Sequence, residues 1–364
     1  MEKYRKFGDA ATGINPFVLV QSPTTLSVAT AAAVFPLRLA GAVLLLPLLF
    51  LLDALAYVFF LVPGTSCVVR LLLAPCQRAL LQGLLLTAGN LGVARESPPA
   101  VAVADAATPA AGDVVVANMQ SAWDMCVLEV AGRLPLCVVA FYAGGAAADA
   151  KKADGDGPLL VLGPSPLQRW RVWWHIYGTG SIEFLRAAAA ADGGGGSGGR
   201  NEPVVDLTAL QRRCERLGVP LVFFPEGSCT NGKGMLRTAP LRVRAAPRRV
   251  FVAAVDYDTT AVHTVLRPRR LLSFFFAMSA SLHGSRDPAW RSPPFPAATV
   301  RLAALTAGPT SAAEGTGAVV WESSKVRQAL CAASSSRRAL AVGLREKCGY
   351  AEACEGARAA GVPK

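Results

Sequence analysis

The strongest constraint on this chain is the run Leu39–Val62, LAGAVLLLPLLFLLDALAYVFFLV, where 24 residues carry a single charge, Asp53. A helix needs about 20 apolar residues to cross ~30 Å of hydrocarbon, so the run is long enough to do so. A second apolar stretch, Cys67–Gly92, follows the turn signal Pro63-Gly64 and carries Arg70, Pro75 and Arg78. Two arrangements fit: one helix crossing the bilayer, or two segments folded back as a hairpin that enters from one face. Asp53 in mid-run would cost about 3 kcal/mol in hydrocarbon. Pro47 would kink a straight helix, and both residues favour the hairpin. The plain alternative is a buried core helix. Composition sides with the membrane: 52% of residues are hydrophobic and 17% charged, against about 25% charged in a typical soluble domain. A disordered or wholly water-exposed chain is excluded. Residues 1–38 form a separate N-terminal segment. Its charges, Gly and Pro ahead of the apolar run do not read as a cleavable signal.

Lys and Arg total 37 against 25 Asp and Glu, a formal charge of +12. That balance suits an anionic partner: a phospholipid surface, a phosphorylated substrate or nucleic acid. No zinc finger, RNP motif or long basic helix is present, so nucleic acid is excluded as a partner. The nine cysteines are scattered without a CxxC pair, which disfavours zinc. There is no N-x-[ST] sequon. A reducing, cytosol-facing environment follows for most of the chain.

Beyond the anchor region, residues 39–92, short strand and helix patterns alternate. Asp113–Asn118, Leu134–Tyr142, Ser181–Leu185, Leu221–Phe224 and Val250–Val255 read as strands, and Leu167–Trp174 and Leu207–Leu217 as helices. The expected fold class is α/β, a sheet with flanking helices over residues 113–308. A Gly-rich insert at residues 187–200 is low-complexity. Its formal matches to G-x-S-x-G and G-x-G-x-x-G lie between no strand and helix, so neither motif is usable. A soluble hydrolase therefore has no nucleophile elbow to support it. Residues 309–364 form a basic tail, with an amphipathic helix expected around Lys325–Leu344.

The chemistry-bearing block is Phe223-Phe-Pro-Glu-Gly-Ser-Cys-Thr-Asn-Gly-Lys-Gly234. A buried strand ends at Phe224, and Pro225 and Gly227 make a tight turn. Glu226 is then presented at the carboxyl end of a strand, where α/β sheets place ligands. Ser228, Thr230, Asn231, Lys233 and Arg237 follow, a set of donors and cations suited to a phosphate. The alternative is an ordinary Pro-Gly turn. Between Lys233 and Arg270 lie nine basic and two acidic residues. This excess suits the phosphates of a ligand, anionic headgroups, or plain solvation. Leu271–Met278 beside it is too short to span and reads as an interfacial or core segment.

FFPEGSCTNGKG resembles the F-P-E-G block of the glycerolipid acyltransferase family, which acylates lysophosphatidate and lysophospholipids. That family carries an N-H-x-S-x-x-D block about a hundred residues upstream, and Asn118-Met-Gln-Ser-Ala-Trp-Asp124 stands there. Its G-x-x-F-I-x-R block lies between, and Gly180–Arg186 keeps the Gly and the Arg. The opening MEKYRKFGDAATGINPF is similar to the N-terminus of the fungal oleoyl-CoA:lysophosphatidate acyltransferases of endoplasmic reticulum and lipid droplets. The family's fourth block has a Pro in a Val-rich strand, which Val250–Val255 lacks.

The resemblance implies a glycerolipid-acyltransferase-like sheet and transfer of an acyl chain from acyl-CoA, as co-substrate, to lysophosphatidate or another lysophospholipid. It implies no metal or further cofactor. The domain would face the cytosol from the endoplasmic reticulum membrane or a lipid droplet. The catalytic positions are Met119, where the family has its histidine base, and Asp124. Arg186, Glu226, Gly227, Ser228, Thr230, Asn231 and Lys233 would bind the acceptor. A thioether cannot accept a proton at neutral pH, so Met119 removes a contribution of typically ~10²–10⁴-fold. His175 is the nearest replacement, ahead of His263 and His283. Ser121 to Asp124 also reads as an S-x-x-D capping box, which explains both residues without chemistry. The rival reading is a non-catalytic, lipid-binding or scaffolding member that lost its base.

Overall fold

The computed structural model describes residues 2–18, 25–62, 72–87, 92–96, 108–132, 134, 137–142, 159–163, 165, 167–179, 205–244, 249–257, 297–305, 311–313, 318–334 and 337–359. The strands are β1 (Gly92–Glu96), β2 (Val114–Ala117), β3 (Val138–Tyr142), β4 (Leu159–Leu162), β5 (Val205–Asp206), β6 (Leu221–Phe224), β7 (Gly234–Met235), β8 (Leu241–Arg244), β9 (Val250–Tyr257), β10 (Ala297–Ala304), β11 (Ser311–Ala313), β12 (Ala318–Trp321) and β13 (Arg338–Ala339). The helices are α1 (Thr25–Leu61), α2 (Ala74–Thr87), α3 (Asp124–Gly132), α4 (Gln168–Thr179), α5 (Thr208–Leu217), α6 (Ser323–Ala333) and α7 (Leu344–Ala359). The result is a mixed α/β architecture around a seven-stranded sheet of order β1-β10-β9-β2-β6-β3-β4.

The central strands β9, β2, β6 and β3 are parallel. Every residue of β2, β3 and β6 is buried, as parallel strands covered on both faces require. Period-two alternation divides their side chains between two layers. Val115 and Ala117 join Leu49, Leu84, Leu128 and Val172 of α1 to α4. Val114 and Val116 join Leu210, Leu330 and Leu344 of α5 to α7. A smaller sheet, β11-β12-β8-β5, contributes Trp321 and Leu241 to that second layer. Each fully buried Val, Leu or Phe stabilises the fold by about 1.5–3 kcal/mol relative to exposure.

Helix α1 begins at Thr25, fourteen residues before the apolar run, and continues through Pro36 and Pro47. Pro47 sits on the exposed side with Val43, whose carbonyl loses its helical partner there. Within α1, Ala32–Phe59 is long and apolar enough to cross a membrane, 28 residues at a mean hydropathy of 2.4. A Cβ on Gly41 would meet Thr87, Leu45 lies against Gly83, and Gln77 donates to Asp53 at 2.7 Å. Positions rising along α1 meet positions falling along α2, so the two helices run antiparallel. Pro63-Gly64 falls outside the described residues. One face of α1, with Leu49, Asp53 and Ala56, is buried, and Ala42, Leu45 and Leu46 pack on the core beside it. Val43, Leu44, Leu48, Leu51, Leu55 and Val58 are exposed on the other.

The expected helix around Lys325–Leu344 is corrected. Helix α6 ends at Ala333, β13 follows, and α7 starts at Leu344. Ser334 competes for the backbone hydrogen bonds at the end of α6. Ser334 turns extended and its hydroxyl donates to Asp256 at 2.9 Å. Arg337 is drawn onto the same carboxylate at 2.9 Å. The basic stretch is also partly committed within the chain. Arg244 pairs with Glu215 at 2.6 Å, Arg249 with Asp113 at 3.2 Å and Arg242 with Asp206 at 3.7 Å. Arg248, Arg267, Arg269, Arg270, Leu271–Met278, Ser181–Leu185 and the Gly-rich insert lie outside the described residues.

Candidate functional site

Strands β2 and β6 pair in parallel with Val116 opposite Phe223, so their carboxyl ends lie side by side. The loops carrying Asn118–Trp123 and Pro225–Lys233 therefore emerge together. Asn118 extends the sheet with its side chain: Val255 N–H donates to its Oδ1 at 2.7 Å, and its Nδ2 donates to the Val255 carbonyl at 3.2 Å. Gly227 adopts φ +62°, and a Cβ there would fall on the Tyr142 carbonyl. Only glycine makes this turn without strain.

Glu226 is 1% exposed and joins the two loops. Its Oε2 accepts from the Met119 N–H at 2.7 Å and its Oε1 from the Leu236 N–H at 2.9 Å. The Thr230 N–H donates in turn to the Met119 carbonyl at 3.2 Å. Burial raises the Glu226 pKa, against the opposing pull of Arg337, the two N–H groups and Lys347. The backbone of Met119 thus ties the loops together, while its thioether lies in the apolar layer beneath, 1% exposed.

Half of the S-x-x-D capping box forms: Asp124 reaches back to the Ser121 N–H, while the Asp124 N–H donates to the Ser121 carbonyl and not to its hydroxyl. Asp124 Oδ2 accepts from the Gln120 N–H at 2.5 Å and the Ser121 N–H at 2.9 Å, and Ser121 Oγ accepts from the Trp123 N–H at 3.3 Å. This leaves Asp124 Oδ1 buried without a well-formed hydrogen bond, although the Tyr257 phenol lies beside it. Burial pushes the Asp124 carboxyl up to about 7, against the N–H groups of Ser121 and Gln120, Tyr257 and Arg337. A carboxyl poised there can take up or release a proton near neutrality.

The polar residues after Glu226 are largely engaged within the chain. Ser228 Oγ accepts from Lys347 Nζ, which also donates to the Cys229 carbonyl at 2.6 Å. Asn231 Nδ2 donates to the carbonyls of Asn15 and Val18, each at 2.9 Å. Its N–H donates to the Pro16 carbonyl at 2.8 Å. The N-terminal segment is thereby held on this turn, and Phe17 packs with Leu236, Leu340 and Val342. Thr230 Oγ1 accepts from the Gly232 N–H at 3.4 Å. Lys233 is exposed to solvent. Arg186, His263 and His283 lie outside the described residues, as does the side chain of His175 on α4.

Two residues of the C-terminal tail enter the site, and the sequence reading assigned that tail no chemistry. Lys347 is 5% exposed, and burial pushes its amine down to about 8, with Cys229 and Glu226 opposing. Arg337 donates from Nη2 to Gln120 Oε1 and to the Val255 carbonyl, and from Nε to Asp256 Oδ1 at 2.9 Å. Asp256 also takes Arg301 Nη1 at 2.8 Å. No spacing rule connects an Arg after a serine run to a strand some eighty residues earlier. Among the described residues, His, Cys, Asp and Glu form no group of three that could hold a metal.

Set against protein families, curated proteins and solved structures, the chain matches none of them.

Proposed function

We propose that the chain is an acyl-CoA-dependent acyltransferase that moves a fatty acyl group onto the free hydroxyl of lysophosphatidate or a related lysophospholipid. The supporting observation is that the blocks Asn118–Asp124 and Phe223–Gly234, far apart in sequence, share hydrogen bonds through Glu226 and Met119. In the reaction the acceptor oxygen attacks the thioester carbonyl, the C–S bond breaks, and the acceptor proton leaves with the CoA thiolate. With Met119 in the base position, Asp124 is the titratable group next to this loop, and its Oδ1 has the Tyr257 phenol beside it but no well-formed hydrogen bond. It would take the proton and return it to the thiolate. A weaker base slows the step, and positioning carries the remainder.

The helix pair α1–α2 is read as the membrane attachment. The buried face of α1 rests on the domain, so its bare face would lie in one leaflet of the endoplasmic reticulum or the lipid-droplet monolayer. An apolar groove of about 460 Å³ between Leu46, Pro47, Phe50 and Leu51 of α1 and Leu167 and Trp170 continues that face. Trp174 is 82% exposed beside it, as suits the headgroup level. One observation favours a second reading, a non-catalytic lipid-binding or lipid-droplet scaffold protein: the buried Met119 offers no base.

The test is transfer of labelled oleate from oleoyl-CoA to lysophosphatidate by membranes containing the protein. Wild type should transfer, and Asp124→Asn should lose at least about tenfold in kcat while remaining folded. A wild type that transfers no oleate would sink the enzyme reading and leave the second.

A further inference from the structure

We propose that Arg337 Nη1 and Gln120 Nε2 form an anion-receiving pair that holds the phosphate of the acceptor. The identity of that anion rests on the acyltransferase reading, whereas the donors themselves ask only for an anionic oxygen. Gln120 is 1% and Arg337 6% exposed, and both of these nitrogens are buried without a hydrogen-bond partner. The neighbouring atoms, Arg337 Nη2 and Gln120 Oε1, bond each other. The two unused donors therefore belong to two planar groups held together by that bond. Leaving a buried donor unpaired is costly, and more so for a charged one, so two together call for a ligand.

The surroundings hold the pair in place. Asp256 fixes Arg337 through Nε, and Arg301 and Ser334 fix Asp256. Asp124 Oδ2 anchors the Gln120 backbone. Gly232, at φ +77°, leaves room for the Gln120 amide, which any Cβ there would strike. The pair stands at the carboxyl ends of β2 and β9, where parallel sheets receive ligands. A guanidinium matches a phosphate better than an amine does. Lys347, the buried cation beside the F-P-E-G turn, already donates to Ser228 and Cys229. Arg337 also acts electrostatically on Asp124, so the anion site and the proton acceptor share one loop.

The experiment titrates full-length protein in lipid nanodiscs with oleoyl-lysophosphatidate and with monooleoylglycerol, without acyl-CoA, by calorimetry. Wild type should bind the phosphate-bearing lipid at least about tenfold more tightly, the worth of one charge-assisted hydrogen bond. Gln120→Glu keeps an acceptor for Arg337 but replaces the free donor with a negative oxygen. It should abolish the preference with Tm unchanged or raised, and Arg337→Gln should abolish it as well. A folded Gln120→Glu that keeps the preference, or a wild type without one, overturns the proposal. A preference without any acyl transfer would keep the anion pair and remove the enzyme reading, because binding is read without turnover.

Discussion

The two ends of α3 bury acidic groups in different ways. Toward its carboxyl end, Glu129 bonds Arg169, which also donates to Asp53 of α1 from Nε at 2.8 Å and from Nη2 at 3.2 Å. All three residues are at most 8% exposed, and side chain answers side chain. Burial pushes the Arg169 pKa down, but the two carboxylates push it up and prevail. Burial prevails at Glu129 as well and pushes its carboxyl up to about 7, against the guanidinium that sits directly on it. At the amino end, Asp124 has backbone N–H groups and a more distant Arg337 in place of a bonded cation, and burial prevails there too. A buried carboxylate closed by a guanidinium is a joint, here tying α1 and α3 through Arg169 of α4. One held by backbone N–H groups joins no second helix and leaves its other oxygen without a bonded cation.

The sharpest way to break this contrast is Arg169→Met. It strands two buried carboxylates, and unfolding of the detergent-solubilised protein should show a loss of about 3–5 kcal/mol. A loss below about 1 kcal/mol would mean that the joint is not closed as described. Next comes Glu226→Ala, which orphans the buried N–H groups of Met119 and Leu236 and should cost about 2–4 kcal/mol in the same measurement. Stability equal to wild type would show that the two loops do not depend on it.

The amino end of α3 is probed through pH. The folded Asp124 pKa, about 7, lies above its ordinary value of 3.8, so the folded state holds the proton more tightly than the unfolded one. Stability from this group is full below about pH 4 and falls as pH rises to 7, by at most about 1.4 kcal/mol per unit. Glu129 and Glu226 are raised in the same direction and share that slope, so Asp124→Asn should make it shallower, and an unchanged slope would contradict the assignment. The smallest effect belongs to an exposed pair away from both ends. Arg242→Ala removes the 3.7 Å contact with Asp206 and should change stability by less than about 0.5 kcal/mol. A loss above about 1 kcal/mol would mean that the basic stretch does more than solvate.

The sequence exposed the strands better than their companions. Val114–Ala117 and Leu221–Phe224 are short, fully apolar runs between turn signals, and they form where the pattern puts them. The segment Thr25–Arg38 has no comparable signal, so the early start of α1 was not legible. The F-P-E-G turn was legible as a place, but not as a network. Asn231 reads as a ligand group until Asn15 and Val18, more than two hundred residues away, are found on its amide. Arg337 and Lys347 were hidden for the same reason, since local patterns carry no record of distant partners. Met119 stood out as the position where the resembled family has its histidine, while the role of its backbone in joining the loops could not be read from a side-chain motif.

The most direct test of the central claim, that the loops after β2 and β6 form an acyl-transfer site lacking its base, is kcat for oleoyl transfer to lysophosphatidate in Met119→His beside wild type. The site as built should accept the imidazole and run at least about tenfold faster than wild type, toward the ~10²–10⁴-fold that a positioned base contributes. Two folded proteins that transfer no oleate, with or without the histidine, would contradict it.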